Sequence, residues 1–255
     1  MDPSLLTVYT SPFPKKRIGK EYDGGYVIVD IPNPTYSLLL AGGICSDISF
    51  EEEFITTYHT TCIALDGTID RLPETTTTDI QFIKKNIHYM NDAEHTNLHD
   101  IIDQYEHIFV KMDIEGYEIP WIASLKEEHM NKFEQIVMEF HFPFSLNEGF
   151  IFYKLTQTHT LVHFHGNNNC GVRNYEGIII PNVFECTYLH NKYFTSPPTL
   201  NKDTIPGILD MRNIFDYAEI GINYPPFVHN ITEKQTANDE EVLEVSQEPC
   251  HSLKK

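Results

Sequence analysis

Short apolar runs separated by mixed polar stretches recur along the chain, and their lengths suit strands buried on both faces of a sheet. The runs 36–43 (YSLLLAGG), 60–67 (TTCIALDG), 86–91 (NIHYMN), 107–113 (HIFVKMD), 135–142 (QIVMEFHF), 160–167 (TLVHFHGN) and 183–190 (VFECTYLH) predict seven central strands. After the first run, 46–59 (SDISFEEEFITTYH) sets Ser or Asp as a cap before acids in a first turn, the pattern of a helix beginning after a strand. Further helices are predicted within 70–84, 96–106, 117–132 and 147–158, although the threonines at 75–78 are poor helix formers. Strands alternating with helices predict an α/β architecture.

Upstream, Asp23-Gly24-Gly25-Tyr26 reads as a hairpin turn. Beyond Thr195, prolines at 197, 198, 206, 225 and 226 interrupt any long element, and the chain from Thr232 is polar and acidic. The expected organisation is one domain over 1–194, an irregular extension over 195–231 and a flexible tail over 232–255. Trp121, the only tryptophan, is expected in the core.

In an open parallel sheet, ligands gather beyond the carboxyl ends of the strands, and here those ends are polar. The first ends in Gly42-Gly43 with Asp47 just after, the second in Asp66, and the fourth in Asp113 and Glu115. The fifth ends in Glu139 and His141, and the sixth in His163, His165 and Asn168. Paired glycines at a strand-to-helix turn admit a ligand close to the backbone, and an acid about twenty residues on can accept ribose hydroxyls. Together they point to a nucleoside cofactor. Asp47 and Glu51, Glu52 and Glu53 would repel a pyrophosphate, whereas the sulfonium and ammonium of S-adenosylmethionine suit acids. An NAD-type oxidoreductase and a non-catalytic donor-binding protein stay as alternatives.

Strand alternation would bring Asp113 and Glu115 out on one side, and likewise Glu139 with His141 and His163 with His165. Methyl transfer to a hydroxyl needs in-line alignment and loss of the hydroxyl proton. Asp113, Glu139 and His141 are the candidates for that base. A divalent metal on Asp113 and Glu139, with His141 as a third ligand, would serve the same end by lowering the hydroxyl pKa. Both roles stay open. His165 and Asn168 are candidates for orienting the acceptor.

Composition narrows the partners. With 41% hydrophobic and 12% aromatic residues the chain can bury a core, and 37 acidic against 18 basic residues, a net −19, argue against nucleic acid and anionic membrane surfaces. The five cysteines show no CxxC spacing and their number is odd, which suits a reducing compartment. With no secretory pattern at the start and no apolar run approaching ~18 residues, a cytoplasmic protein is expected.

The run 110-VKMDIEGYE-118 resembles the K-x-D-x-E-G-x-E signature of FkbM-like S-adenosylmethionine-dependent methyltransferases. Segments 17-RIGKEYDGGYVI-28, 48-ISFEEEF-54, 136-IVMEFH-141, 163-HFHGNNN-169 and 181-PNVFECTY-188 also look like motifs of a branch of that family, so the likeness spans roughly residues 15–192. The resemblance implies a Rossmann-like class I methyltransferase fold, a seven-stranded, mostly parallel sheet with an antiparallel last strand and helices on both faces. It implies donor contacts at Gly42, Gly43 and Asp66, with Asp23, Gly24 and Gly25 closing over the donor and Glu115 shaping the donor loop. It also implies methylation of a hydroxyl on a sugar, glycan or similar polyol. The first-strand motif AGGICSD departs from the family's G-x-G-x-D type pattern, with Ala41 and Cys45 as the odd residues.

Overall fold

The computed structural model describes residues 2–73, 80–144 and 146–229. A hairpin of β1 (Lys15–Gly19) and β2 (Gly25–Val29) comes first, then β3 (Leu38–Gly42), α1 (Ser49–Tyr58), β4 (Cys62–Leu65) and β5 (Ile80–Ile83). The two-residue strands β6 (Asn86–Ile87) and β7 (His95–Thr96) pair with each other, followed by the single-turn α2 (His99–Ile102) and by β8 (Ile108–Met112). Next come α3 (Glu118–Ser124), α4 (Glu127–Met130), β9 (Phe133–His141), α5 (Leu146–Thr158) and β10 (His159–Gly166). A second hairpin, β11 (Val172–Tyr175) and β12 (Ile178–Pro181), leads into β13 (Val183–His190).

Seven strands form one mixed sheet in the order β10-β13-β9-β8-β3-β4-β5. The pairs β5–β4, β4–β3, β3–β8 and β8–β9 are parallel, and β13, the last in the chain, runs antiparallel to both β9 and β10. The α/β, mostly parallel sheet is therefore as the apolar runs predict, with β3, β4, β8, β9, β10 and β13 within about two residues of the expected segments.

The third strand is a correction. It is Ile80–Ile83, at the sheet edge and only half buried, while 86–91 contributes just the bridge with β7. An edge strand needs little apolar character, so IQFI gave a weaker pattern than its neighbour. The helix predicted over 70–84 is absent among its described residues; Thr75–Thr78 lie outside them. The predicted helix over 117–132 is two helices divided at Leu125, whose backbone is extended, and that over 96–106 shrinks to one turn. At α1 the cap position is Ile48, but the Asp47 carboxylate still accepts from the Ser49 backbone N–H at 3.2 Å.

Alternation along the strands sorts the side chains. One face carries Leu40, Leu65, Val110, Met112, Met138, Phe140, Phe164 and Phe184 into a core that includes Trp121, Phe152 and Leu155 from α3 and α5. The other carries Leu39, Ala41, Phe109 and Val137 against α1 and the β1–β2 hairpin. Helix α1 offers Phe50, Phe54 and Tyr58 at i, i+4 and i+8, and the Phe54 ring lies 4.4 Å from Phe109. Toward the carboxyl ends this second face turns polar, and α1 thereby holds its N-terminus over that region.

Residues 195–229 contain no helix or strand element beyond an isolated bridge of Tyr9 with Leu200. Asn168 ties this segment to the sheet, its amide donating to the Ile214 and Tyr217 carbonyls while its oxygen accepts from Ile214 N–H. The tail over 232–255 lies outside the described residues. Among those described, no helix is long and apolar enough to cross a membrane.

Candidate functional site

Strand register lines up the polar ends. Gly42 is level with Met112 and Met112 with Met138, so the next residues, Gly43, Asp113 and Glu139, follow in a row. Glu139 is then paired with Glu185, and Glu185 with His165. All lie toward α1 and the hairpin, a consequence of the two-residue period of β strands.

Two cavities open on this row. The larger, ≈ 560 Å³, is lined by Gly43, Cys45, Asp66–Ile69, Asn86, His95 and the loop Asp113–Glu115 with Tyr117. The smaller, ≈ 140 Å³, is lined by Asp23, Gly24, Tyr26, Gly43–Asp47, Glu51, Lys111 and Asp113. They meet at Gly43, Cys45 and Asp113. Gly43 has φ +78, and a Cβ there would lie 1.7 Å from the Asp113 carbonyl oxygen, so only glycine allows β3 and β8 to end this close together.

Asp66 fixes the turn after β3. One carboxylate oxygen accepts from Ile44 and Cys45 N–H at 3.1 and 2.7 Å, and the other from Thr68 N–H and hydroxyl at 2.7 and 2.6 Å. Burial opposes its charge, but the Thr68 and Cys45 bonds outweigh that and hold its carboxyl below the usual range. A ribose hydroxyl would have to replace Thr68 at the outer oxygen.

The loop after β8 is built around Glu118. This fully buried carboxylate accepts from Ile114 and Gly116 N–H at 3.1 and 3.2 Å and contacts His141 Nδ1 at 3.0 Å through the same oxygen. The strand ends at Met112, and Glu115 (φ +56) and Gly116 (φ +96) turn left-handed, so the alternation expected of Asp113 and Glu115 does not persist. His141 brings them together instead. Its Nε2 lies 3.8 Å from Asp113 Oδ1 and 3.4 Å from Glu115 Oε2. Burial works against a charged ring, yet Glu118, Glu139 and Asp113 outweigh it and lift the His141 pKa to about 10. Glu139, buried and beside Asp113, is pushed well above the carboxylate range; Asn167 donates to it at 2.7 Å.

Other candidates sit elsewhere. Gly42 lies inside the sheet, where a Cβ would strike Ile87 and Met112, and Gly25 packs against Lys20 and Arg17 in the hairpin; neither lines either of the two cavities. Asp47 does, paired with Lys20 at 3.2 Å. His165 is 1% exposed, between Glu185 at 3.6 Å and Glu219 at 3.3 Å, and Asn168 is committed to the C-terminal segment. Neither reaches an open surface in this arrangement. Phe140 and Phe152 are core residues, their ring centroids 4.9 Å apart.

Sequence reading gave no role to Lys111, Glu118, Glu185 or Asn213. Lys111 is 5% exposed, donates to the Gly43 carbonyl at 3.2 Å and lies 3.5 Å from Glu51. A lysine two residues before Asp113 in an apolar strand was a usable signal of a buried, paired charge. Asn213 donates to both Asp23 and Glu185 at 3.0 Å, joining the hairpin turn to the row from a segment with no readable pattern.

Compared with known proteins, the sequence matches no family model and no curated protein. The site's chemistry stands on its geometry.

Two histidines outside the cavities set a pH dependence. His159, fully buried with Nε2 2.9 Å from the Phe133 carbonyl, is depressed by burial to about 3. Its contribution to stability is present above its unfolded pKa of about 6.5 and lost as pH falls below it. For His165, burial is outweighed by Glu185 and Glu219, which raise the ring to about 10. Its contribution is complete below about 6.5 and lost as pH rises toward 10. Urea-unfolding midpoints between about pH 4 and 9 should peak near 6.5 and decline on both sides. A midpoint rising steadily to pH 9 would contradict these assignments.

Proposed function

We propose that this chain is an S-adenosylmethionine-dependent O-methyltransferase acting on a hydroxyl of a sugar, glycan or similar polyol. The observation that carries the reading is the pair of cavities meeting at Gly43, Cys45 and Asp113. The larger falls in the ~300–1,000 Å³ range of small-molecule sites and offers the space for an adenosine moiety between Asp66 and the Ile114–Tyr117 loop. Asp23, Asp47, Glu51 and Asp113 surround the smaller, against Lys20 and Lys111. This balance suits the donor's ammonium and sulfonium and disfavours a pyrophosphate. The antiparallel last strand between β9 and β10 agrees with the sheet expected of a Rossmann-like methyltransferase.

In this reading the acceptor oxygen attacks the methyl carbon while the carbon–sulfur bond breaks, its electron pair staying on sulfur to leave a neutral thioether. The hydroxyl proton passes to Asp113, the carboxylate that borders both cavities. Glu139, whose carboxyl is pushed upward by burial and by the neighbouring Asp113, stands behind it and borders neither cavity.

Calorimetric titration separates this reading from its rivals. S-adenosylmethionine and S-adenosylhomocysteine should bind one per chain at micromolar Kd, and NAD should give no heat. Binding of NAD with neither sulfur compound would replace the proposal with a nucleotide-dependent oxidoreductase.

A further inference from the structure

We propose that Asp113, Glu139 and His141 hold a divalent cation where β8 and β9 end. One ligand atom from each, an oxygen from the two carboxylates and a nitrogen from the imidazole, lie within 4.8 Å of one another. Ligands at ~2.1 Å from one ion stand about 3 Å apart when adjacent and about 4.2 Å when opposite, so side-chain rotation alone can close the set. His141 Nε2 lies 3.8 Å from Asp113 Oδ1 and 3.4 Å from Glu115 Oε2, so this ring nitrogen faces the carboxylates.

A second observation lies behind the histidine. Glu118 is fully buried; one oxygen holds His141 Nδ1, and the other has no hydrogen-bond partner among the described residues. A carboxylate gripping the far nitrogen of a histidine is the usual support of a metal-bound imidazole, fixing which nitrogen faces the metal. Here it leaves Nε2 directed at the carboxylates. A cation bound at Nε2 would displace the proton from that nitrogen, with Glu118 supporting the neutral ring from Nδ1.

The donor set selects the ion. Two carboxylates and one imidazole suit a borderline-hard ion such as Mn²⁺, with Mg²⁺ as a weaker alternative, and three protein ligands leave positions open to water or a hydroxyl. A hydroxyl bound there would lose its proton more readily. That use of the ion rests on the methyltransferase reading; the site itself does not.

The test is a calorimetric and paramagnetic-resonance titration of Mn²⁺ into chelator-treated full-length protein, without sulfonium donor. One Mn²⁺ should bind per chain. Glu139→Gln and His141→Ala should each weaken it at least tenfold, and Glu118→Gln about tenfold. Glu128→Gln, an exposed acid outside the cluster, should change nothing. Should Glu139→Gln not fold, as judged by circular dichroism, His141→Ala at the strand end carries the test. No saturable binding at about 1 mM Mn²⁺, or equal affinity in wild type and His141→Ala, would overturn the site. Mn²⁺ binding without S-adenosylmethionine binding would keep the metal site and remove methyl transfer; the reverse outcome would do the opposite.

Discussion

Gly43→Ala is expected to abolish donor binding and to destabilise the protein by at least about 3 kcal/mol in urea unfolding. The residue sits at φ +78, a region that costs a residue with a Cβ roughly 1–3 kcal/mol. The added carbon would also lie 1.7 Å from the Asp113 carbonyl oxygen, a backbone atom that no side-chain rotation can move. Relief requires parting β3 from β8. That parting would disturb the Gly43 N–H to Leu65 carbonyl bond and the Lys111 bond to the Gly43 carbonyl, and with them the floor shared by both cavities. Gly116→Ala is the internal control. Its φ is also positive, at +96, but a Cβ there meets nothing within 4 Å, so only the conformational penalty of about 1 kcal/mol applies. Equal, small effects from the two substitutions would show that the close approach of β3 and β8 is not what builds the site.

Asp113→Asn is expected to cut methyl transfer by about 10²–10⁴-fold while the donor Kd stays within a few-fold of wild type. Asparagine keeps the volume and one acceptor oxygen but cannot take a proton at neutral pH. The carboxylate borders both cavities, one beside the Asp66 turn and one beside the Asp23 turn, so its loss should register in turnover and not in the packing of either wall. Single-turnover kinetics with saturating donor would separate the two quantities. Full turnover by the variant would remove Asp113 from proton transfer.

Much of the framework was legible because buried strands announce themselves by apolar runs. The runs around Leu38–Gly42, Cys62–Leu65, Ile108–Met112 and Phe133–His141 stand out for that reason. Ile80–Ile83 did not, since an edge strand with half-buried positions carries a faint signal and the apolar pair beside it drew the assignment. Within the site, Asp113, Glu139 and His141 were readable from their places at strand ends, and the structure brings the three together. Their second partners were not. Glu118 acts from the start of α3, through a left-handed loop that strand periodicity cannot anticipate. His165 and Asn168 looked available for an acceptor because their partners Glu219, Ile214 and Tyr217 lie some fifty residues on, in a segment without periodic pattern. Long-range pairing of this kind leaves no local trace.

The most direct measurement is a crystal structure of the protein with S-adenosylhomocysteine. The account predicts the adenosine in the ≈ 560 Å³ cavity, between Asp66 and the Ile114–Tyr117 loop, with the sulfur above Gly43 and facing Asp113. Density for the cofactor away from this cavity, such as in the separate pocket lined by His163 and Asp210, would contradict it.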